Sequence, residues 1–153
     1  MLQKLRRSEG FTLLELLVVV AIIAILATLI LANLNRARRQ AQDAKVQSEV
    51  KAVSDAIQLY LTENPSGGTI PLSPSFGQLT SASIAPLLAS PDPLLRSLPT
   101  HPSNGSTADT SYRFRATNAS GSFSYSVAGY LPAKGECYII TDGTVAAATP
   151  NCQ

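Results

Sequence analysis

The feature that most constrains this chain is an apolar run near its N-terminus, from Phe11 to Ala32, whose only charged residue is Glu15. As an α-helix rising about 1.5 Å per residue, the run is about 33 Å long, enough to cross a hydrocarbon core of about 30 Å. Its apolar side chains surround the helix axis, which is typical of a membrane span or of the centre of a large core. A chain of 153 residues has no soluble core large enough to enclose it. The run therefore predicts a membrane span.

Glu15 is the exception within this run. An ionised carboxylate in a membrane span is costly unless it is paired, so such residues are candidates for function. The alternative is a carboxylate close enough to the membrane surface to reach the headgroups, because Glu15 is near the start of the run. Its position alone leaves both interpretations open.

The residues around the start of the run form a specific motif, in which basic residues precede Ser8-Glu9-Gly10 and then Phe11-Thr12-Leu13-Leu14-Glu15-Leu16. The basic residues are Lys4, Arg6 and Arg7. This order resembles the class III leader of type IV prepilins and type II secretion pseudopilins. The resemblance implies that prepilin peptidase removes residues 1–10 by cleavage after Gly10 and then N-methylates Phe11. It also implies a cytoplasmic N-terminus. Charge does not decide the orientation, because Arg36, Arg38 and Arg39 follow the span.

The helix is expected to continue beyond the span as an amphipathic half, over residues 33–64. No Gly or Pro occurs from Asn33 to Glu63, and an apolar stripe recurs at helical spacing. The stripe consists of Val46, Val50, Val53, Ile57, Tyr60 and Leu61. Pro65, followed by Ser66-Gly67-Gly68, predicts the end of the helix at Asn64.

Residues 65–110 are predicted to form a proline-rich connecting loop, with a short helix across Ser81 to Leu88. Its leucines and isoleucine are too apolar for a disordered linker, so they are expected to hold the loop against the domain. They are Ile84, Leu87, Leu88, Leu94, Leu95 and Leu98. His101 is flanked by prolines and is interpreted as a loop residue for which the sequence offers no partner.

Residues 111–153 contain the strand patterns. Tyr112–Arg115 and Phe123–Val127 alternate apolar with basic or serine residues, as half-buried strands do, and Asn118 to Gly121 supplies the turn between them. Cys137–Thr141 is a third strand, and Asp142-Gly143 predicts a tight hairpin to a short edge strand at Thr144–Ala148. The expected fold is α+β, with a long N-terminal helix packed on one face of a small antiparallel sheet. This is the pilin architecture.

The chain has two cysteines, Cys137 and Cys152. In an oxidising compartment beyond the inner membrane they would form a disulfide, and the alternatives are free thiols or a pair of metal ligands. The bridge also resembles the C-terminal disulfide loop of many type IV pilins. A single distant histidine and no acidic cluster argue against a metal site. Glu136 and Asp142 are too few to argue for the calcium loop of major pseudopilins, so neither a metal nor a cofactor is predicted.

The charge of the chain argues against nucleic acid as the main partner. The formal net charge is +2, and removal of the leader takes away three basic residues and one acidic residue, leaving a neutral chain. No pattern of catalytic residues is present, so an enzyme is not predicted. Arg113 and Arg115 share one strand face, which is interpreted as solvated, with an acidic partner as the alternative.

Together with these patterns, the resemblance implies a structural subunit of a type IV pilus or a type II secretion pseudopilus. Such a subunit spans the inner membrane once and is then assembled into a periplasmic pseudopilus or an extracellular filament by helix packing. The predicted partners are other copies of the chain, the prepilin peptidase and the inner-membrane assembly platform. In the assembled filament, Glu15 is expected to pair with the α-amino group of Phe11 in a neighbouring subunit. The alternatives are a minor pilin that primes or caps the fibre, and a membrane-anchored periplasmic binding module that does not polymerise.

Overall fold

A computed structural model describes residues 11–89, 92–103, 111–146, 149–150 and 152, without the side chain of Ala32. The predicted leader, including Gly10, lies outside these residues. The chain divides into two compact units, the first ending at Ala37 and the second beginning at Arg38.

The long helix α1 runs from Leu13 to Glu63. Its part in the first unit is the apolar run, and its part in the second unit carries the predicted stripe. The backbone NH of Asn64 makes the last helical bond, to the carbonyl of Tyr60 at 3.0 Å, and its side-chain amide donates to the same carbonyl at 3.2 Å. Pro65 and two glycines with positive φ, Gly67 and Gly68, then turn the chain away.

In the second unit the remaining elements are the strand β1 (Ser73–Gln78), the short helix α2 (Ala85–Leu88), and the strands β2 (Arg113–Ala119), β3 (Ser122–Leu131), β4 (Glu136–Thr141) and β5 (Thr144–Val145). The five strands form one antiparallel sheet in the order β1-β2-β3-β4-β5. The α+β arrangement of a long helix and a small antiparallel sheet is therefore confirmed.

Two tight turns fix the register of the sheet. Ser120 and Gly121 join β2 to β3, and Asp142 and Gly143 join β4 to β5, with positive φ at all four residues. This is the backbone pattern of a type I′ hairpin, which suits the right-handed twist of the strands. The hairpin predicted from Asp142-Gly143 is confirmed, although β5 ends at Val145 rather than Ala148.

One face of the sheet packs against the second half of α1. Val46, Val50, Val53 and Ile57 are buried there together with side chains from β2, β3 and β4. The residues on the sheet side include Phe114, Ala116, Tyr125, Val127 and Ile140. Polar contacts join the same two layers. The hydroxyl groups of Ser54 and Tyr125 lie 2.9 Å apart, and the carboxylate of Asp43 accepts the backbone NH of Ala133 at 2.9 Å. The stripe thus packs on the sheet as predicted.

The opposite face of the sheet carries a second, smaller apolar cluster. It contains Ala128, Ile139, Cys137 and Cys152, with Phe76 of β1 packed against it. Only one packed face is predicted from the sequence, and the second face is partly covered because the side chain of Phe76 and the residues around Cys152 pack on it.

The connecting loop differs from the prediction in containing β1, a strand that was not predicted. Its sequence, Ser73-Pro74-Ser75-Phe76-Gly77-Gln78, has one large apolar residue and no alternating apolar pattern. The strand pairs only with β2, and its register shifts between Ser73 and Gly77. An edge strand tolerates a proline and a bulge because only one of its sides must supply hydrogen bonds. Nearby, Ile84 and Leu87 are buried in the main core as expected, whereas Leu94 is exposed.

Candidate assembly surface

Helix α1 begins with a reciprocal cap between Thr12 and Glu15. The backbone NH of Glu15 donates to Oγ1 of Thr12 at 3.2 Å, while Oε2 of Glu15 accepts from Oγ1 and from the backbone NH of Thr12 at 3.2 and 3.4 Å. This is a capping box, in which a threonine at the N-cap and a glutamate three residues later satisfy each other's backbone donors. The negative side chain also lies at the positive end of the helix dipole.

This role of Glu15 is not among the predictions above, although Thr12-Leu13-Leu14-Glu15 has the spacing of a capping box. The cap offers a structural reason for the glutamate that does not involve a partner. Phe11, the residue before the cap, is 85% exposed. The expected pairing of Glu15 with the amino group of Phe11 in another copy remains a prediction.

The large side chains of the apolar run are exposed and are not buried by other described residues. From Phe11 to Leu31, every large apolar side chain is at least 47% exposed. Among the described residues, α1 is the one helix long and apolar enough to cross a membrane, judged by length and composition. An apolar surface of this size marks a site of contact with lipid or with other protein. The first unit therefore requires a membrane or neighbouring helices.

Cys137 and Cys152 are joined by a disulfide, with their Cα atoms 5.4 Å apart. Both are fully buried in the small cluster on the sheet face opposite α1. Close by, the backbone NH of Cys137 donates to the carbonyl of Thr149 at 2.7 Å. The bridge and this bond fasten the C-terminal segment to β4.

His101 lies in a loop, as interpreted, and the folded chain supplies partners that the sequence did not indicate. The side chain is only 3% exposed, with Nε2 at 2.9 Å from the carbonyl of Tyr130 and Nδ1 at 3.2 Å from the backbone NH of Ser103. Because a carbonyl only accepts and a backbone NH only donates, the ring is neutral with its proton on Nε2. Burial lowers the pKa of His101. No periodic pattern in the sequence marks an isolated loop histidine as buried.

A tyrosine and a glutamate next to His101 tie the sheet to α1. The ring of Tyr112 meets His101 edge-on, with 5.1 Å between ring centroids, and its hydroxyl donates to Oε2 of Glu49. Lys45 pairs with the other oxygen of the same carboxylate at 3.7 Å. Burial, and then the bond to Glu49, raise the pKa of Tyr112. These contacts hold the loop that carries His101 against both layers.

Arg113 and Arg115 lie on the sheet face opposite α1, and both are half-buried rather than solvated. Nη2 of Arg113 donates to the carbonyl of Phe76 at 2.8 Å. The guanidinium of Arg115 lies 5.0 Å from the centroid of the Phe76 ring, and its Nη2 is 3.4 Å from the hydroxyl of Ser126. The unpredicted strand β1 is what shields these two side chains.

Neither of the acidic residues considered for calcium is a free ligand. Both oxygens of Asp142 are used, by the hydroxyl of Ser124 and the backbone NH of Tyr125, while Glu136 pairs with Lys134 at 3.8 Å. Within the part of the chain that the structure describes, no three His, Cys, Asp or Glu side chains gather as metal ligands would.

Comparison with known proteins finds similarity over part of the chain. Residues 5–31 match the family described as the prokaryotic N-terminal methylation motif. The type II secretion system core protein G of Aeromonas hydrophila is 34% identical over 59 residues, which is 39% of this chain and 41% of that protein. The proteins of the same name from Vibrio cholerae and Klebsiella pneumoniae are 36% and 38% identical over 63 and 60 residues.

The last two alignments cover 41% and 39% of this chain and 43% of each relative. The chain thus spans less than half the length of the relatives it matches. No solved structure gives a significant match to this chain. The matched segment contains Gly10, Phe11 and Glu15, and it includes most of the apolar run. Residues 5–31 therefore match the N-terminal methylation motif, and part of the chain is similar to the type II secretion system core protein G of three bacteria.

Proposed function

We propose that this chain is a structural subunit of a type II secretion pseudopilus or a type IV pilus. The observation that carries the proposal is the capped, uncovered apolar helix, which bears one carboxylate at its start and lies largely within the methylation motif. The relatives named above are core proteins of the type II secretion system, which supports the pseudopilus as the first choice. The role is mechanical, and no reaction is assigned to the chain.

The proposed route starts in the inner membrane, which the apolar run crosses once with the leader on the cytoplasmic side. The prepilin peptidase cuts between Gly10 and Phe11 and methylates Phe11. The assembly platform then moves the subunit into a filament, in which neighbouring helices replace lipid around the apolar run. The second unit, with its disulfide, remains outside the membrane.

Glu15 sets the stagger between subunits in this proposal. Cleavage gives Phe11 an α-amino group about 6 Å along the helix axis from Glu15. In a filament core an unpaired carboxylate or amine is strongly penalised, whereas a matched pair is tolerated. A neighbouring subunit displaced along the fibre brings its amino group to this carboxylate. Each Glu15 carboxylate then caps its own helix and neutralises the α-amino group of Phe11 in the next subunit.

The cleavage step is tested by the intact mass of the purified protein. The expected product has 143 residues, ten fewer than the full chain, and carries one added methyl group. Gly10→Val should leave the precursor uncut, because a branched side chain beside the scissile bond would obstruct the peptidase. A mature protein that begins at Met1 would refute the proposed processing.

The role of Glu15 is tested by three variants that separate capping from charge pairing. Glu15→Gln keeps an amide oxygen for the capping box but has no charge, whereas Thr12→Val removes the hydroxyl cap and leaves the charge. Glu15→Leu removes both functions. We expect all three to be cleaved and to form the disulfide. When each is the only subunit supplied, Thr12→Val should form filaments, and Glu15→Gln and Glu15→Leu should not. Electron microscopy of filament number and length measures the outcome.

Normal filaments from Glu15→Gln would show that the residue acts only as a helix cap. The same assay distinguishes the alternative functions. A minor pilin would form filaments only when a second subunit is supplied, and a membrane-anchored binding module would be absent from filaments under every condition.

A further inference from the structure

Five described cations of the second unit form no ion pair, namely Arg38, Arg39, Arg96, Arg113 and Arg115. Of these, Arg113 and Arg115 lie together on one strand. Arg113 and Arg115 project from alternate positions of β2 on the same face, and no described carboxylate forms an ion pair with either one. Arg113 uses one nitrogen on the carbonyl of Phe76, and its Nε is buried without a partner among the described residues. A guanidinium has five donors in a planar fork that fits a carboxylate. A carboxylate from outside the chain cannot reach the buried Nε, but no described group bonds to Nη1 of either arginine, so the two Nη1 groups can donate to one.

Two described carboxylates of the second unit, Glu63 and Asp92, form neither an ion pair nor a hydrogen bond with a described residue, and only Glu63 lies at the end of a helix. Glu63 is the last residue of α1, it is exposed, and no described cation pairs with it. The last turn of the helix contains no basic residue. A negative side chain at the negative end of the helix dipole is unfavourable, so Glu63 would gain from contact with a cation. Most other described acidic groups are already used, as the partners of Asp43, Glu49 and Asp55 illustrate.

Glu63 and the two arginines belong to different layers of the second unit. Helix α1 packs on the sheet face that carries Phe114 and Ala116, and the arginines occupy the alternate positions of the same strand. The complementary charges are therefore separated by the sheet within one chain. Contact between different surfaces of identical subunits is called heterologous. Such contacts produce an open helical filament when the rotation from one subunit to the next does not close a ring.

We propose that the Arg113–Arg115 pair of one copy binds Glu63 of the next copy, as a lateral contact between the folded units of the filament. The inference rests on the proposed function, because it requires polymerisation. It assigns the folded unit a contact that is separate from the packing of the apolar helices. The group that binds the arginine pair is the carboxylate of Glu63, at the end of α1 in a second copy of this chain.

The proposal is tested by carbodiimide cross-linking of filaments that contain Arg115→Lys. Carbodiimide activates a carboxylate, and an adjacent lysine amine displaces the urea to form an amide, whereas arginine does not react. The variant is supplied as a minority component with the wild-type chain, so that assembly does not depend on it. We expect covalent dimers in which mass spectrometry finds the introduced lysine joined to Glu63. Isotopic labelling of one component should show that the two residues come from different chains.

Matched controls separate Glu63 from other acidic residues. In the labelled wild-type component, Glu63→Gln should abolish the dimer, whereas Asp92→Asn should leave it unchanged, since Asp92 is also exposed and unpaired among the described residues. Glu63→Gln as the only subunit should lower filament yield severalfold. Filaments in which the introduced lysine is unlinked, or linked to a residue other than Glu63, overturn this inference and leave the proposed function intact. Failure of the wild-type chain to form filaments overturns the proposed function itself.

Discussion

Gly129 is the position at which the packing of α1 on the sheet can be tested most directly. It lies in β3 on the face that carries Val127 and Leu131, both of which are buried in the core shared with α1. A Cβ placed on Gly129 would lie 2.6 Å from Cγ1 of Val46 and 2.9 Å from Cε1 of Tyr112. Carbon atoms in contact are about 3.5–4.0 Å apart, so Gly129→Ala requires the helix or the tyrosine to move by about 1 Å.

The size of the effect follows from overpacking. An added methyl group in a packed core costs about 1–3 kcal/mol in the free energy of unfolding. Neither neighbour can move freely, because Val46 is fully buried on α1 and Tyr112 is held by Glu49 and His101. We therefore expect a loss of about 2 kcal/mol. For a unit of this size that loss lowers the melting temperature by about 8 °C.

Thermal unfolding of the full chain in detergent, followed by circular dichroism of the sheet, measures the effect. Gly77→Ala is the matched control, because its Cβ would meet only the hydroxyl of Ser73 at 3.8 Å and should be tolerated. The double variant Val46→Ala with Gly129→Ala should lose less than the sum of the single variants, since the shorter side chain makes room for the new methyl group. Equal melting temperatures for Gly129→Ala and wild type would refute the close packing of β3 on α1.

Two further predictions concern the loop histidine and the disulfide. Because burial lowers the pKa of His101 below its ordinary value of 6.5, the unfolded chain binds a proton more readily, so stability should fall as the pH drops below 6.5. His101→Gln should be less stable at neutral pH but should show a flatter dependence of melting temperature on pH between about 7 and 5; a slope equal to that of the wild type would contradict this interpretation. Replacing Cys137 and Cys152 by Ser opens a loop of 15 residues and should cost about 3 kcal/mol, measured by denaturant unfolding. Unchanged stability in the double serine variant would show that other contacts hold the C-terminal segment.

Local patterns in the sequence determined the main elements of the fold. A continuous apolar run predicts a membrane helix, because every side chain around the axis must be compatible with lipid. The stripe from Val46 to Leu61 predicted the packed face of the same helix, because a helix brings every third or fourth residue to one side. Asp142-Gly143 predicted its hairpin because the positive φ of a type I′ turn is accessible to few residue types. Each of these inferences depends on residues close together in the chain.

Other features were decided only by contacts between residues far apart in the sequence. Strand β1 has no strand pattern of its own and exists because the free edge of β2 supplies its hydrogen bonds. The burial of His101 depends on Tyr130, which is 29 residues away, and the shielding of Arg115 depends on Phe76. The capping box at Thr12 and Glu15 was local and could have been predicted from its spacing. The difference is physical: helices and tight turns satisfy their hydrogen bonds within a few residues, whereas an edge strand, a buried polar side chain and a covered sheet face obtain theirs from partners that only the folded chain brings near.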